Sequence, residues 1–352
     1  MQEESLAVAE FLDGGPGLWL APGSGVPPAD CAVVATSGST GDAKLVVLHR
    51  EALVAAARAA EERLGFAATW HLTLAPQYVA GLMVLVRGLL GDGVRAASSD
   101  LADLELVPGR NCLSVVGTQL YRALESQELA ETLARFDAVL VGGAALRPEL
   151  RARAEHAGIR VIETYGMSET CGGVVWDGVP LPGVEITLGD RGRVEIAGPM
   201  VFEGYLGEAG LEGRAALRRR WLASSQATLR DQQDTQRVLT NDRGRWEGDR
   251  LIIEGRVDDV IISGGVNVDL AAVRRAVLAV DPEAEVLAVD DAEWGARVVL
   301  FAPSGTLDGW RETLRSALPP AALPRQLVIV KQLPRTGGGK PDRKSLLELV
   351  QS

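Results

Sequence analysis

The sequence predicts an α/β fold: a large N-terminal region of mainly parallel sheet, a small antiparallel or β-barrel-like region after it, and a compact α+β unit at the C-terminal end. Three observations point there. Short apolar runs alternate with helix-period stretches from Asn111 to Thr164, the pattern of parallel strands joined by right-handed helical crossovers. From Gly178 the texture changes to short alternating segments broken by Gly and Pro, as antiparallel strands require. With 352 residues, 47% of them hydrophobic, the chain can build two or three separate cores.

Residues 3–12 read as one helix, and PGSGVPP (22–28) as a loop by its turn residues. CAVVA (31–35) and LVVL (45–48) are strands flanking a small, hydroxylic loop. HREALVAAARAAEERL (49–64) has helical periodicity, with Gly65 as its C′ stop. Residues 72–75 read as a strand and 81–90 as a mostly buried helix. NCLSVVG (111–117), FDAVLV (136–141) and RVIET (160–164) are strands, with helices over 119–135 and 147–157 between them. Ligands of such sheets sit at the carboxyl ends of strands, where Gly142-Gly143 and Tyr165-Gly166-Met167 fall. Residues 212–237, rich in Arg and Gln, read equally as an exposed helix, a linker or a surface insertion. RWEGDRLIIEG (245–255) is a hairpin. The final unit reads as strand VIIS, a turn at Gly264-Gly265, a helix over 269–280, strands near 285–288 and 297–301, and a helix over 307–318. No internal repeat is visible.

Charge narrows the function classes. There are 36 Lys+Arg against 47 Asp+Glu, a net charge of −11. With an isoelectric point near 5.0, the chain lacks the basic surface that nucleic acid requires. No run of 18 apolar residues exists, so no membrane span is expected. The start, MQEESLAVAEFLDGG, is acidic where a secretory signal would be basic. Cys31, Cys112 and Cys171 have no metal-type spacing and fit the reduced thiols of a cytoplasmic protein. His49, His71 and His156 form no ligand pair.

The loop between the first two strands is TSGSTGDAK, from Thr36 to Lys44. Gly38 and Gly41 let the backbone approach a ligand. Thr36, Ser37, Ser39 and Thr40 offer hydroxyls, the loop N–H groups can cradle an anion, and Lys44 adds a point charge. Ala43 replaces the second Gly of a Walker A loop, so that motif fails. On its residues alone the loop is a phosphate cradle or a flexible Ser/Gly turn.

Six segments, in order between positions 31 and 345, resemble one superfamily: the adenylate-forming enzymes, which include acyl-CoA synthetases, adenylation domains and luciferases. TSGSTGDAK resembles their phosphate loop, and VGGAAL, with Gly142, Gly143 and Ala144, their adenine-side loop. YGMSET, with Tyr165, Gly166, Met167, Ser168 and Glu169, is similar to the motif whose acid contacts Mg²⁺. VLTND resembles the segment ending in a ribose-binding Asp, here Asp242. GRVDDVIISGGVNV resembles the hinge motif, and LPRTGGGK the catalytic-lysine loop. The resemblance implies an adenylate-forming core over 1–257, N-terminally shortened, and a mobile lid over 258–352, with Asp258 at the hinge. It implies two half-reactions: a carboxylate attacks the α-phosphate of ATP and expels pyrophosphate, then a thiol attacks the acyl-AMP. Lys340 would stabilise the α-phosphate and the attacking carboxylate, Ser168 would bond an α-phosphate oxygen, and Glu169 would hold Mg²⁺. Arg256 would reach the ribose beside Asp242, and Gly264-Gly265 would face the thiol-binding tunnel. ATP, Mg²⁺ and coenzyme A are the implied cofactor and substrates, and family habit implies a homodimer.

Two segments narrow the likeness to the short actinobacterial o-succinylbenzoate–CoA ligases of menaquinone biosynthesis: GTQLYRAL (117–124) and APQYVAGLMVLVRGLL (75–90). They imply an acyl-substrate set of Gln77, Gly81, Arg87 and Thr118. Arg87, alone in an apolar helical run, is either a clamp for the succinyl carboxylate or a structural ion pair or snorkelling side chain. The sequence departs from the pattern at Ala43 (usually Pro), Gln77 (often His), Gly117 (usually Pro) and Asn241 (usually Gly). Gln77 leaves open another aryl-acid ligase or an enzyme that loads a carrier protein. A nucleotide-binding relative without turnover is the rival from another class.

Overall fold

The computed structural model describes residues 2–36, 44–207, 210–213, 236–335 and 341–351. The chain opens with α1 (Gln2–Leu12), β1 (Leu18–Trp19), β2 (Cys31–Ala35) and β3 (Leu45–His49). α2 (Arg50–Leu64) starts where the His49 side chain caps the Glu51 N–H and stops at Gly65, in the left-handed region at φ 79°. β4 (Thr69–Leu72), α3 (Val79–Leu90), β5 (Gly93–Ala96), β6 (Asn111–Val116), α4 (Gly117–Ala123), α5 (Gln127–Leu133), β7 (Ala138–Gly142), α6 (Pro148–His156), β8 (Val161–Met167), β9 (Gly172–Trp176) and β10 (Val179–Pro180) follow.

These strands form a sheet of order β10-β9-β8-β7-β6-β4-β5. The strands from β5 to β8 run parallel, and β9 returns antiparallel. One face packs on α1, α2 and α3 through Phe11, Leu53, Leu82 and Trp70; the other packs on α4–α6 through Leu120, Leu133 and Leu150. Both faces are therefore dry, as parallel sheets require.

Two expected elements differ. The strand expected at 72–75 lies at Thr69–Leu72, because Trp70 and His71 are core residues: all four positions are buried and His71 Nε2 bonds Asn111 Oδ1 at 2.9 Å. Residues after it turn instead, with the Tyr78 N–H donating to Ala75 O, and deliver α3. The single helix expected over 119–135 is two. The first ends at Ala123, and Ser126 caps the second by accepting the Leu129 N–H, a role that Ser prefers to a mid-helix position.

The antiparallel region contains β11 (Glu185–Leu188), β12 (Arg193–Ala197), β13 (Gly204–Gly207), β14 (Gly210–Gly213), β15 (Arg237–Glu247) and β16 (Arg250–Arg256). β11-β12-β15-β16 is one sheet. β13 leaves it to pair with β3, placing Tyr205 opposite Val46. Most of the 212–237 stretch lies outside the described residues.

A short 3-10 turn, Val257–Asp259, leads into the last unit. It holds β17 (Val260–Ser263), β18 (Val266–Asp269), α7 (Leu270–Val280), β19 (Glu285–Asp291), β20 (Gly295–Ala302), α8 (Leu307–Leu314), β21 (Gln326–Ile329) and α9 (Arg343–Gln351). Its sheet has cores of its own on both faces, around Val273 and Leu300 and around Phe301 and Leu346. Gly264 (φ 59°) and Gly265 (φ 79°) make the two-residue turn between β17 and β18, both in the left-handed region that this turn demands. Arg243 Nη2 to Asp269 Oδ2 (2.5 Å) and Arg275 Nη1 to Glu254 O (2.5 Å) tie the unit to the antiparallel sheet.

Candidate functional site

The β2–β3 hairpin closes at the stem of the predicted phosphate loop. The Thr36 N–H donates to Lys44 O (2.9 Å), and the Lys44 N–H donates to Thr36 Oγ1 (3.1 Å). The Ala35 N–H bonds Gln77 O at 3.2 Å, so the segment before α3 rests on the same stem. Ser37, Gly38, Ser39, Thr40 and Gly41 lie outside the described residues, as does Lys340.

The carboxyl ends of β7 and β8 lie side by side. Gly142, Gly143 and Ala144 leave β7, and Leu146 beyond them donates its N–H to Glu163 Oε1 on β8 (2.9 Å). Tyr165, Gly166 and Met167 end β8. A Cβ at Gly166 would lie 2.0 Å from Gly172 O, so only glycine allows β8 and β9 to close there. Ser168 and Glu169 then sit on a 3-10 turn. The buried Thr170 braces this turn by accepting the Met167 N–H (3.0 Å) and bonding Gly172 O (2.8 Å). The Phe202 N–H holds Glu169 O at 2.9 Å.

Residues from distant motifs meet here. Tyr165 Oη donates to Asp242 Oδ2 at 2.8 Å, and Arg256 Nη1 stands 3.6 Å from Asp242 Oδ1 across the β15–β16 pair. Burial, then the Asp242 charge, pushes the Tyr165 phenol well above its ordinary value, so it remains a donor. Tyr205 Oη donates to Glu169 Oε1 at 2.5 Å, while Lys44 Nζ lies 4.9 Å from the centre of the Tyr205 ring. Among the described residues no cluster of three or more His, Cys, Asp or Glu could cage a metal. Glu169 nevertheless suits a Mg²⁺ that arrives with phosphate: its bond to Tyr205 uses one carboxylate oxygen and leaves the other for a hard cation.

The predicted acyl-substrate residues are spread along α3 and α4. Gln77 is exposed just before α3; Gly81 is buried where a Cβ would meet Ala75 O at 2.4 Å. Thr118 is half-buried in the first turn of α4. Arg87 lies deep under α3, 8% exposed, its guanidinium 5.1 Å from the Trp70 ring centre. Its Nε has no partner and no carboxylate pairs with it among the described residues. Burial pushes its pKa down to about 10, with Cys112 and Cys171 nearby. Only about 10 Å³ of free space adjoins it, so a substrate reaching it must open the packing there. Gly264 packs on Trp294 within the C-terminal unit, and Gly265 beside it borders open space. Asp258 lies on the 3-10 turn after Arg256. A cavity of about 530 Å³ near His49, Glu51, Glu203 and Gln236 contains none of the predicted residues.

Three features escape sequence reasoning. Tyr205 and Glu163 support predicted residues through contacts 36 and 17 positions apart. Asp259, 4% exposed, joins Arg274 (3.4 Å) to Arg343 (3.1 Å) and so anchors the start of α9, just past the lysine loop. A glycine-flanked Tyr in EGYLG and the second Asp of RVDD are the signals that were available.

A family model described as AMP-binding enzyme matches residues 7–206. A probable 2-succinylbenzoate–CoA ligase of Mycobacterium tuberculosis (strain ATCC 25618 / H37Rv) is 38% identical over 338 residues, covering 90% of this chain and 83% of the relative. The 2-succinylbenzoate–CoA ligase of Escherichia coli (strain K12) is 30% identical over 344 residues, covering 92% and 70%. Among solved structures, wild-type E. coli MenE with a bound m-phenylether-linked analogue of OSB-AMS matches with a TM-score of 0.66 at 25% identity, over 94% of this chain and 71% of that one. ATP-bound MatB from Rhodopseudomonas palustris shares the fold with a TM-score of 0.75 at 23% identity, over 91% and 68%.

Proposed function

The chain belongs to the AMP-binding enzyme family, and from that premise we propose that it joins 2-succinylbenzoate to coenzyme A with ATP, forming AMP and pyrophosphate, as a step of menaquinone biosynthesis. The observation that favours this acid is Arg87: a buried cation on α3, beside Trp70, with no carboxylate partner among the described residues. A monocarboxylic acid gives that charge nothing to meet. A second, distal carboxylate does, and guanidinium pairs with carboxylate in bidentate fashion.

In this reading the carboxylate oxygen attacks the α-phosphorus of ATP and pyrophosphate leaves. The coenzyme A sulfur then attacks the acyl carbon, its proton is lost, and AMP leaves. Both first-step reactants are anions, so the residues act by positioning and by neutralising charge. Lys44 and the loop from Thr36 hold the departing phosphates, and Tyr165 keeps Asp242 turned toward the ribose with Arg256 beside it. Glu169 would hold Mg²⁺, which supplies charge neutralisation on the phosphates. Lys340 serves the α-phosphate. Gly264-Gly265 reach the thiol only after the 258–352 unit turns about Asp258, a closure that keeps acyl-AMP from water.

No described helix is long and apolar enough to cross a membrane, and a cytoplasmic location is part of the reading. Family habit adds a homodimer, which light scattering tests. The deciding experiment is acid-dependent pyrophosphate release with ATP and Mg²⁺, followed by detection of the CoA thioester. We expect 2-succinylbenzoate to support both and benzoate neither. Release with benzoate but not 2-succinylbenzoate would overturn the substrate; release with no carboxylate would overturn the enzyme.

A further inference from the structure

Tyr205 has no part in any motif read from the sequence, yet it touches two of the charges that the ligase reading needs. β13 pairs antiparallel with β3, setting Tyr205 opposite Val46, two residues past Lys44. Its ring lies under Lys44 Nζ (4.9 Å) and its hydroxyl bonds Glu169 Oε1 (2.5 Å). Phe202 stacks edge-on against the ring at 5.1 Å, and its own N–H holds the Glu169 carbonyl. One four-residue stretch thus grips Glu169 by backbone and side chain.

An exposed ammonium and a half-buried carboxylate on either side of one residue would pair directly if nothing stood between them. Such a pair would occupy the carboxylate a metal needs and the cation a phosphate needs. We infer that Tyr205 is a positioning residue that orients Glu169 for Mg²⁺ and holds Lys44 apart from it, keeping both charges open for metal-bound nucleotide. The inference rests on the ATP-dependent reading above. Aromatic stacking on the ammonium supplies the spacing, and the hydroxyl supplies the orientation.

The test is Mn²⁺ binding to the full chain in the presence of α,β-methylene-ATP, followed by electron paramagnetic resonance, with thermal midpoints as the folding control. Tyr205→Phe keeps the ring and should bind Mn²⁺ about 10-fold more weakly with an unchanged midpoint. Tyr205→Leu should bind more weakly still, and the loss should shrink when Lys44→Met removes the intruding charge. Variants that bind Mn²⁺ like wild type, or a Tyr205→Leu loss of the same size with and without Lys44, would overturn the inference alone. Wild-type protein that binds no Mn²⁺ with the nucleotide would overturn the ligase reading and this inference with it.

Discussion

Arg87→Met should make the protein more stable and a worse enzyme. Arg87 is 8% exposed, and burial pushes its pKa down to about 10. At about 1.36 kcal/mol per pH unit, keeping that charge in the fold costs roughly 3 kcal/mol. Stacking over Trp70 returns about 1–2 kcal/mol of this. Met fills much of the same volume without the charge, so the variant should gain about 1–2 kcal/mol, a rise of about 2–5 °C in Tm. A basic group whose folded pKa lies below its unfolded value destabilises the fold wherever it is charged. The burden is therefore whole below about pH 10 and lifts only as pH rises above it, so the gain should be equal at pH 7 and pH 9.

Catalysis should move the other way. A substrate carboxylate buried without its cation loses about 2–5 kcal/mol, so kcat/KM for 2-succinylbenzoate should fall at least about 30-fold. The KM for ATP should change little, because Arg87 lies under α3 beside Trp70 and not at the strand ends. Differential scanning calorimetry and steady-state kinetics read the two halves. Unchanged kcat/KM with that acid would discard the clamp. A fall of several degrees in Tm would show that Arg87 already has a partner in the free protein.

Three further outcomes are expected. Tyr165→Phe removes the donor to Asp242 Oδ2 and should raise the KM for ATP about 5- to 20-fold, measured by pyrophosphate exchange; an unchanged KM would mean that Asp242 needs no such orientation. Asp259→Asn leaves Arg274 and Arg343 facing each other without their shared carboxylate and should cost about 2–4 kcal/mol, seen as faster amide exchange in α9 than in α2. Uniform exchange would mean that the network does not anchor α9. Lys340→Ala should abolish adenylation while leaving thioester formation from supplied acyl-AMP largely intact; equal loss in both half-reactions would refute that division of labour.

The fold class is legible because two periodicities write it. Buried parallel strands are nearly continuous apolar runs such as NCLSVV and AVLVG, and the connecting helices keep a 3.6-residue pattern. Errors fall where burial and polarity part company. His71 sits at 0% exposure because Asn111 on the neighbouring strand satisfies it, and no local pattern announces that partner. β21 and α9 pass unnoticed for a similar reason. QLVI is short and half-buried, and the α9 pattern begins inside a basic, Gly-rich tail that reads as loop.

The site divides along the same line. Positions to which the proposed reaction gives a chemical role, such as Glu169, Asp242 and Lys44, stand out in sequence because they fall in recognisable motifs. Positions that only hold those residues do not, since Tyr205 and Glu163 look like ordinary strand residues until the chain is folded. The geometry explains why such supports are needed. Lys44 comes from the β2–β3 sheet, Glu169 from the end of the long parallel sheet, and Asp242 from the antiparallel sheet. One apolar core runs beneath all three sheets, but these charged side chains are not part of it. Their mutual distances are set by single side chains crossing between sheets: Tyr205 from β13 to Glu169, and Tyr165 from β8 to Asp242. Removing either crossing hydroxyl leaves every strand and core intact but frees one charge relative to the others. Loss of binding without loss of stability is therefore the signature to expect from these tyrosines, and the reverse from core residues such as Leu53 or Leu300.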